Sequence, residues 1–201
     1  MVPGRHFRSL PPHRFVKGSS ANGPVLLPLS AQRSDSVAMI RLCRRMCPDA
    51  AMLVPDPDRL LAGATEPGSD MDDAVERVAA LVAAALPLYG YSLVPVVVVG
   101  RDLGADLAAH LVLKYNHCLA AAILLRPTRT VPPVPVGTLN GVHILLAGPA
   151  HDEPLGSVGG QIRDVMVRGG AVVVSERVVG RRAMVTRETV ISRVFLSTLF
   201  G

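Results

Sequence analysis

The sequence predicts an α/β protein, a doubly wound and mainly parallel sheet with helices on both faces. Two observations carry that prediction. The candidate strands are continuous apolar runs, such as Val96–Val99 and Ala121–Leu125. Strands of that kind are buried on both faces, whereas a half-exposed strand alternates apolar and polar residues. Helix-length segments also separate most of these runs, as right-handed crossovers between parallel strands require. About six or seven strands are expected in one domain over residues 1–201, with an N-terminal arm and first strand in 1–23 and no cap domain.

The elements follow in order. Val25-Leu26-Leu27 opens a buried strand, and Asp35 or Ser36 caps a helix running to about Cys47. Ala51–Val54 is a short apolar strand. The proline-rich stretch Pro55–Gly68 reads as loop, and Ser69 or Asp70 caps a long helix with Val75, Val78, Ala79, Val82 and Leu86 along one face. Val96–Val99 is the clearest strand, turning at once into a helix over Gly104–Tyr115. Strands at Leu119–Leu125, Gly141–Ala147 and Ala171–Val174 follow, with helices at Gly160–Arg168 and Arg187–Leu199. Between Val78 and Gly100 only uncharged residues follow, but Pro87, Gly90 and Pro95 interrupt them, so a helix, turn and strand are expected there and no membrane span.

Composition excludes several function classes. At 49% hydrophobic and 18% charged residues, the chain of 201 residues is no disordered protein. Three cysteines close no disulfide framework and are read as buried thiols of a reducing compartment. Cys43 and Cys47 with distant histidines make no zinc pattern, so neither metal nor cofactor is expected. The net charge of +5 comes with 3% aromatics and no Trp, too few for a single-strand stacking platform, and no nucleic-acid partner is expected. The opening Met1–His6 lacks the apolar core of a secretory signal, which predicts a cytoplasmic protein.

Ligands in such sheets bind beyond the carboxyl ends of the strands. Four loops therefore matter: Ser30–Ser36, Gly100–Gly104, Gly148–Pro154 and Glu176–Thr186. In Gly100-Arg101-Asp102-Leu103-Gly104, glycines flank the central residue by two on each side. That spacing suits a strained turn that presents Asp102 while strand and helix approach closely.

With these residues in place, the chain resembles the small carboxylesterase/phospholipase branch of the α/β-hydrolase superfamily, related to dienelactone hydrolases. The likeness runs over nearly the whole chain. It is carried by Pro12–Gly18, Pro24–Leu27 through Cys47–Ala50, Tyr89-Gly90 through Val99–Ala105, Ala122–Pro127, Leu145–Gly148 and Thr186–Glu188.

The resemblance implies a Ser-His-Asp triad, and the matching positions depart from it. The nucleophile position holds Asp102. The glycine-rich oxyanion loop HGTGGDE reads Ser30-Ala31-Gln32-Arg33-Ser34-Asp35-Ser36. The acid position falls on His151, with Asp152 one later, and the base position on Arg182 or Ala183, neither of which takes a proton at neutral pH.

Two functions follow as expectations. One is a non-catalytic protein that binds a ligand or a partner, as a homodimer or as a heterodimer with a related hydrolase. The other is an atypical ester hydrolase with Asp102 as nucleophile and His151 or Asp152 assisting; aspartate stands at this elbow in dehalogenases and epoxide hydrolases, which keep the histidine. Arg33, Arg101 and Arg182 are expected to form a cationic basin for a carboxylate or phosphate, and with Ala31 and Leu103 they make up the predicted ligand-binding set. His110 and His143 are read as packing histidines, and His117 as part of a turn.

Overall fold

The computed structural model describes residues 10–20, 23–30, 32–60, 71–149, 157–178 and 181–201. Seven strands form one sheet: β1 His13–Val16, β2 Val25–Leu29, β3 Ala51–Pro55, β4 Val96–Arg101, β5 Ala121–Leu125, β6 His143–Pro149 and β7 Val172–Val178. Their order across the sheet is β1-β3-β2-β4-β5-β6-β7, and every pair is parallel except the β1–β3 edge pair. The helices are α1 Arg33–Met46, α2 Pro57–Leu60, α3 Asp72–Tyr89, α4 Leu103–Tyr115, α5 Val158–Arg168 and α6 Arg181–Phe200. The doubly wound class is as expected from the apolar runs.

Successive strand residues point to opposite faces, and the core divides accordingly. Val25, Leu27, Val96, Val98, Ala122, Leu124, Ile144 and Leu146 belong to the layer that also buries the inner sides of α3, α4 and α5. Leu26, Val97, Val99, Ile123, Leu125 and Leu145 belong to the layer under α1 and α6, with Met39, Leu42, Phe195 and Leu196. Side chains on the interior strands are almost wholly removed from water, which explains why those strands read as continuous apolar runs.

Two expectations are corrected. The break expected at Pro87 does not occur: α3 continues through it to Tyr89. Pro87 lies in the last turn, where the helix loses little hydrogen bonding, and the chain stops at Gly90, whose left-handed φ of 81° lets Tyr91 N–H reach the Leu86 carbonyl at 2.8 Å. The loop expected over Glu176–Thr186 is largely replaced by regular structure. β7 runs on through Ser175, Glu176 and Arg177, and α6 begins at Arg181. Polar residues fit β7 because it is the edge strand, and one of its flanks meets solvent. Among the described residues, no helix is long and apolar enough to cross a membrane.

Candidate functional site

The site is built where β4 and β5 end. Asp102 and Arg126 are the two non-glycine residues with positive φ among the described residues, at 53° and 54°. Each follows the last residue of its strand and still makes one sheet-like hydrogen bond. Asp102 N–H donates to the Leu125 carbonyl at 2.9 Å, and Arg126 N–H to the Ala147 carbonyl at 2.6 Å. The chain beyond them must then turn sharply away. Left-handed backbone in a side-chain-bearing residue costs about 1–3 kcal/mol and concentrates at functional sites.

The flanking glycines permit the turn at Asp102. A Cβ on Gly100 would lie 2.1 Å from the Gly104 carbonyl oxygen, and one on Gly104 would lie 2.2 Å from the Leu29 carbonyl oxygen. Helix α4 therefore starts against the ends of β2 and β4 only because both positions lack a side chain. Asp102 occupies the N-cap position of α4, yet its carboxylate makes no cap hydrogen bond. Leu103 begins the helix, half-buried against the α3–α5 core layer.

The Asp102 side chain, 55% exposed, accepts a hydrogen bond from Arg126 Nη2 on Oδ2 at 3.0 Å. Burial of the carboxyl raises its pKa above the usual range, against the lowering pull of Arg126 and Arg101; Asp35 in the first turn of α1 and Asp106 add to the rise. Arg126 also faces inward, with Nε 3.5 Å from Glu188 Oε1. Glu188, on α6 and only 1% exposed, accepts from Arg101 Nη2 at 2.7 Å. Asp102, Arg126, Glu188 and Arg101 thus form a chain of alternating charge from the elbow into the layer under α6. Arg101 Nε, Glu188 Oε1 and Ser192 Oγ make no further hydrogen bond among the described residues, so attraction between opposite charges holds this chain more than complete hydrogen bonding does.

A second buried acid fixes the loop that carries Arg126. Asp106, fully buried on α4, accepts from Thr128 N–H at 2.7 Å, Thr128 Oγ1 at 2.5 Å and Arg129 N–H at 3.0 Å. These bonds hold residues 126–129 against the helix that begins at the elbow. Beside this, Ser30 at the end of β2 shares a 2.7 Å hydrogen bond with Ser36 of α1, in the stretch matching the oxyanion loop.

The expected basin of Arg33, Arg101 and Arg182 looks different. Arg33 is 70% exposed and pairs with Asp56 at 3.1 Å and Asp58 at 3.0 Å, while Arg101 turns inward to Glu188. Each of these two guanidinium groups already has a carboxylate partner. Arg182 stands in the first turn of α6 and not in a loop. Ala31, His151 and Asp152 lie outside the described residues. Reading by motif found the elbow and Arg101 but missed Arg126, Glu188 and Asp106. An arginine just past a buried strand, Leu125-Arg126, and a lone acid in the last helix, Thr186-Arg187-Glu188, were the available signals.

The described histidines lie away from the elbow. His143 pairs in register with Ala121, itself paired with Val97 near the amino end of β4. Five residues of strand separate Val97 from Asp102, about 16 Å. His110 sits two turns along α4, and His117 lies past its far end. His13 belongs to the β1 edge, where it contacts Tyr89. Among the described residues, no cluster of three or more metal-ligating side chains occurs.

Neither a protein-family model nor a curated protein matches the sequence. Solved structures match closely in shape. A carboxylesterase of Bacillus cereus superposes with a TM-score of 0.77 over 96% of this chain and 96% of its own, at 20% identity. This chain has the α/β-hydrolase fold. A carboxylesterase of Mesorhizobium loti gives 0.72 at 23% identity, covering 92% of this chain and 94% of its own. A dienelactone hydrolase of Anabaena variabilis gives 0.72 at 14% identity, covering 92% and 90%. In this fold the strained turn after β4 presents Asp102 at the carboxyl end of the sheet.

Proposed function

We propose that this α/β-hydrolase-fold protein is a carboxylesterase-type scaffold without the Ser-His-Asp triad and the oxyanion glycines, working by binding rather than by hydrolysis. The observation that carries this reading is the pairing of Asp102 with Arg126. A serine at the elbow needs a base beside it to attack, and an aspartate, which attacks as its carboxylate, needs one to activate the water that releases its ester. Asp102 has a guanidinium beside it instead, and the described histidines are too distant to relay a proton. Arginine stays charged and offers no acceptor. The stretch from Ser30 to Ser36 has side-chain-bearing residues in place of backbone-exposing glycines, with Ser30 bonded to the Ser36 hydroxyl and Ser36 Oγ donating to the Gln32 carbonyl.

The alternative reading, an ester hydrolase using Asp102, draws on the strained, half-exposed carboxylate at the elbow. Acyl transfer to Asp102 would leave an acyl-aspartate whose release needs an activated water. His151 and Asp152 are the residues to supply it in that case. Steady-state hydrolysis of p-nitrophenyl acetate, with Asp102→Ala as the comparison, separates the two. The binding reading expects equal rates in both proteins, at or near buffer. Turnover in the wild type that disappears in Asp102→Ala would establish the hydrolase instead.

A further inference from the structure

The two sides of the sheet differ in how their surface charge is answered. Helices α1 and α6 together contain eight arginines and two acidic residues, Asp35 and Glu188. Helices α3, α4 and α5 contain four basic and five acidic residues. On that second side the charges pair: Lys114 lies 3.0 Å from Glu76 and 3.4 Å from Asp72, and Arg163 lies 3.1 Å from Asp164.

On the α1–α6 side, Glu188 is buried on Arg101 and Asp35 stands at the far end of α1, in its first turn. Arg41, Arg44, Arg45, Arg187 and Arg193 are exposed, and no carboxylate pairs with them among the described residues. Two of them bond backbone carbonyls: Arg193 Nε and Nη2 reach the Arg45 carbonyl at 3.1 and 2.5 Å, and Arg44 Nη1 reaches the Pro48 carbonyl at 3.3 Å. The Arg193 bonds tie α6 to the C-terminal end of α1, the Arg44 bond spans the turn that follows α1, and both fix guanidinium positions without neutralising them. Val37, Val190 and Val194 are exposed on the same two helices, each more than half open to solvent.

From this arrangement we infer that the α1–α6 face is the docking surface for an acidic protein partner, one presenting Asp and Glu side chains among apolar residues. Three properties select that occupant. Arginine, which pairs with carboxylates in a bidentate fork, is enriched at protein interfaces where lysine is depleted. The interspersed valines give a flat two-helix surface some apolar area to bury. A second copy of this chain related by a two-fold axis would set arginines against arginines, so the face is not self-complementary. A membrane surface is a poorer match, since the aromatic residues of the two helices, Phe195 and Phe200, pack against the core and offer no exposed ring to seat in the headgroup layer.

This inference supplies a partner for the binding reading above and holds whether or not Asp102 is catalytic, so the ester assay and the test below fail independently. The test is fluorescence anisotropy with a labelled twenty-residue peptide of Glu and Asp interspersed with Leu. It compares wild type, Arg41→Glu/Arg45→Glu and Lys114→Glu/Arg163→Glu, after a thermal melt establishes that all three are folded. The two variants change net charge equally, on opposite sides of the sheet. The expected result is saturable binding that weakens about tenfold or more in the Arg41/Arg45 variant and less than about threefold in the Lys114/Arg163 variant. Equal weakening in both would mean that only overall charge is read and would overturn the docking face. Absence of binding at low salt would overturn it as well. Tighter binding to phosphatidylserine vesicles or to a twenty-base-pair DNA duplex, lost in the same Arg41/Arg45 variant, would replace the protein partner by a membrane or a nucleic acid.

Discussion

The two sides of this sheet solve the same packing problem in opposite ways. Under α3, α4 and α5, the interior is apolar apart from Asp106, which is satisfied by three hydrogen bonds, and the surface charges pair with one another. Under α1 and α6, an ion chain of Asp102, Arg126, Glu188 and Arg101 enters the interior, while Arg33 at the start of α1 is answered by Asp56 and Asp58 and the exposed Arg41, Arg44, Arg45, Arg187 and Arg193 have no carboxylate partner among the described residues. Opposite charges are satisfied outside on one side and inside on the other. Helix packing alone requires neither arrangement, so the second side is where the molecule departs from a plain scaffold.

The largest effect should come from breaking the buried chain. Glu188→Ala strands Arg101, 84% buried by its 16% exposure, and should cost about 3–5 kcal/mol in urea unfolding. Lys114→Ala on the other side removes only exposed pairs and should leave the urea midpoint nearly unchanged. Similar costs for the two would erase the distinction between the sides.

Next in size is Gly104→Ala. Its Cβ would meet the Leu29 carbonyl, so α4 must shift from the sheet at a cost of about 1–3 kcal/mol, despite the gain in helix propensity. Thermal unfolding checks this, and an unchanged midpoint would mean that the elbow does not need its close helix approach.

Substitution at the elbow residue itself should go the other way. Asp102→Gly removes a strained side-chain-bearing residue and an exposed ion pair, and should stabilise the fold by about 1 kcal/mol. Its pH dependence has a definite sign. Because the folded-state pKa is raised, the native state holds this proton more tightly than the unfolded chain. Asp102 therefore contributes stability at pH below its unfolded-state value, and that contribution is lost as pH rises through its raised native value. Asp102→Asn should flatten this fall, as seen in denaturation midpoints measured across the acid range. A steeper fall in the variant would contradict the assignment.

The smallest expected effect is on the arginine face. Arg41→Glu relieves repulsion among like charges and should raise stability by a few tenths of a kcal/mol, about, at low salt and not at all in 1 M salt. A loss of stability at low salt would show that Arg41 is already paired.

The fold was legible because the strands are buried on both faces and therefore continuous in sequence. Val96–Val99 and Ala121–Leu125 admit little else once helix-length segments separate them. The end of the sheet was less legible. Ser175-Glu176-Arg177 looks like loop until β7 is known to be an edge strand, and Arg181-Arg182 is an unfavourable helix start because cations oppose the positive N-terminal dipole. The elbow could be found because two glycines bracket it at fixed spacing. Arg126 and Glu188 could not, because their roles come from pairing across 24 and 87 residues of chain, and no local pattern marks such partners.

The most direct test of the central claim is the pre-steady-state release of p-nitrophenol on mixing excess p-nitrophenyl acetate with wild type, Arg126→Ala and Asp102→Ala. A burst counts acyl transfer to the protein even when the acyl group is never released. If Asp102 is held as a structural partner of Arg126, none of the three proteins gives a burst. One equivalent of p-nitrophenol from the wild type, absent from Asp102→Ala, would make Asp102 a working nucleophile and contradict the account.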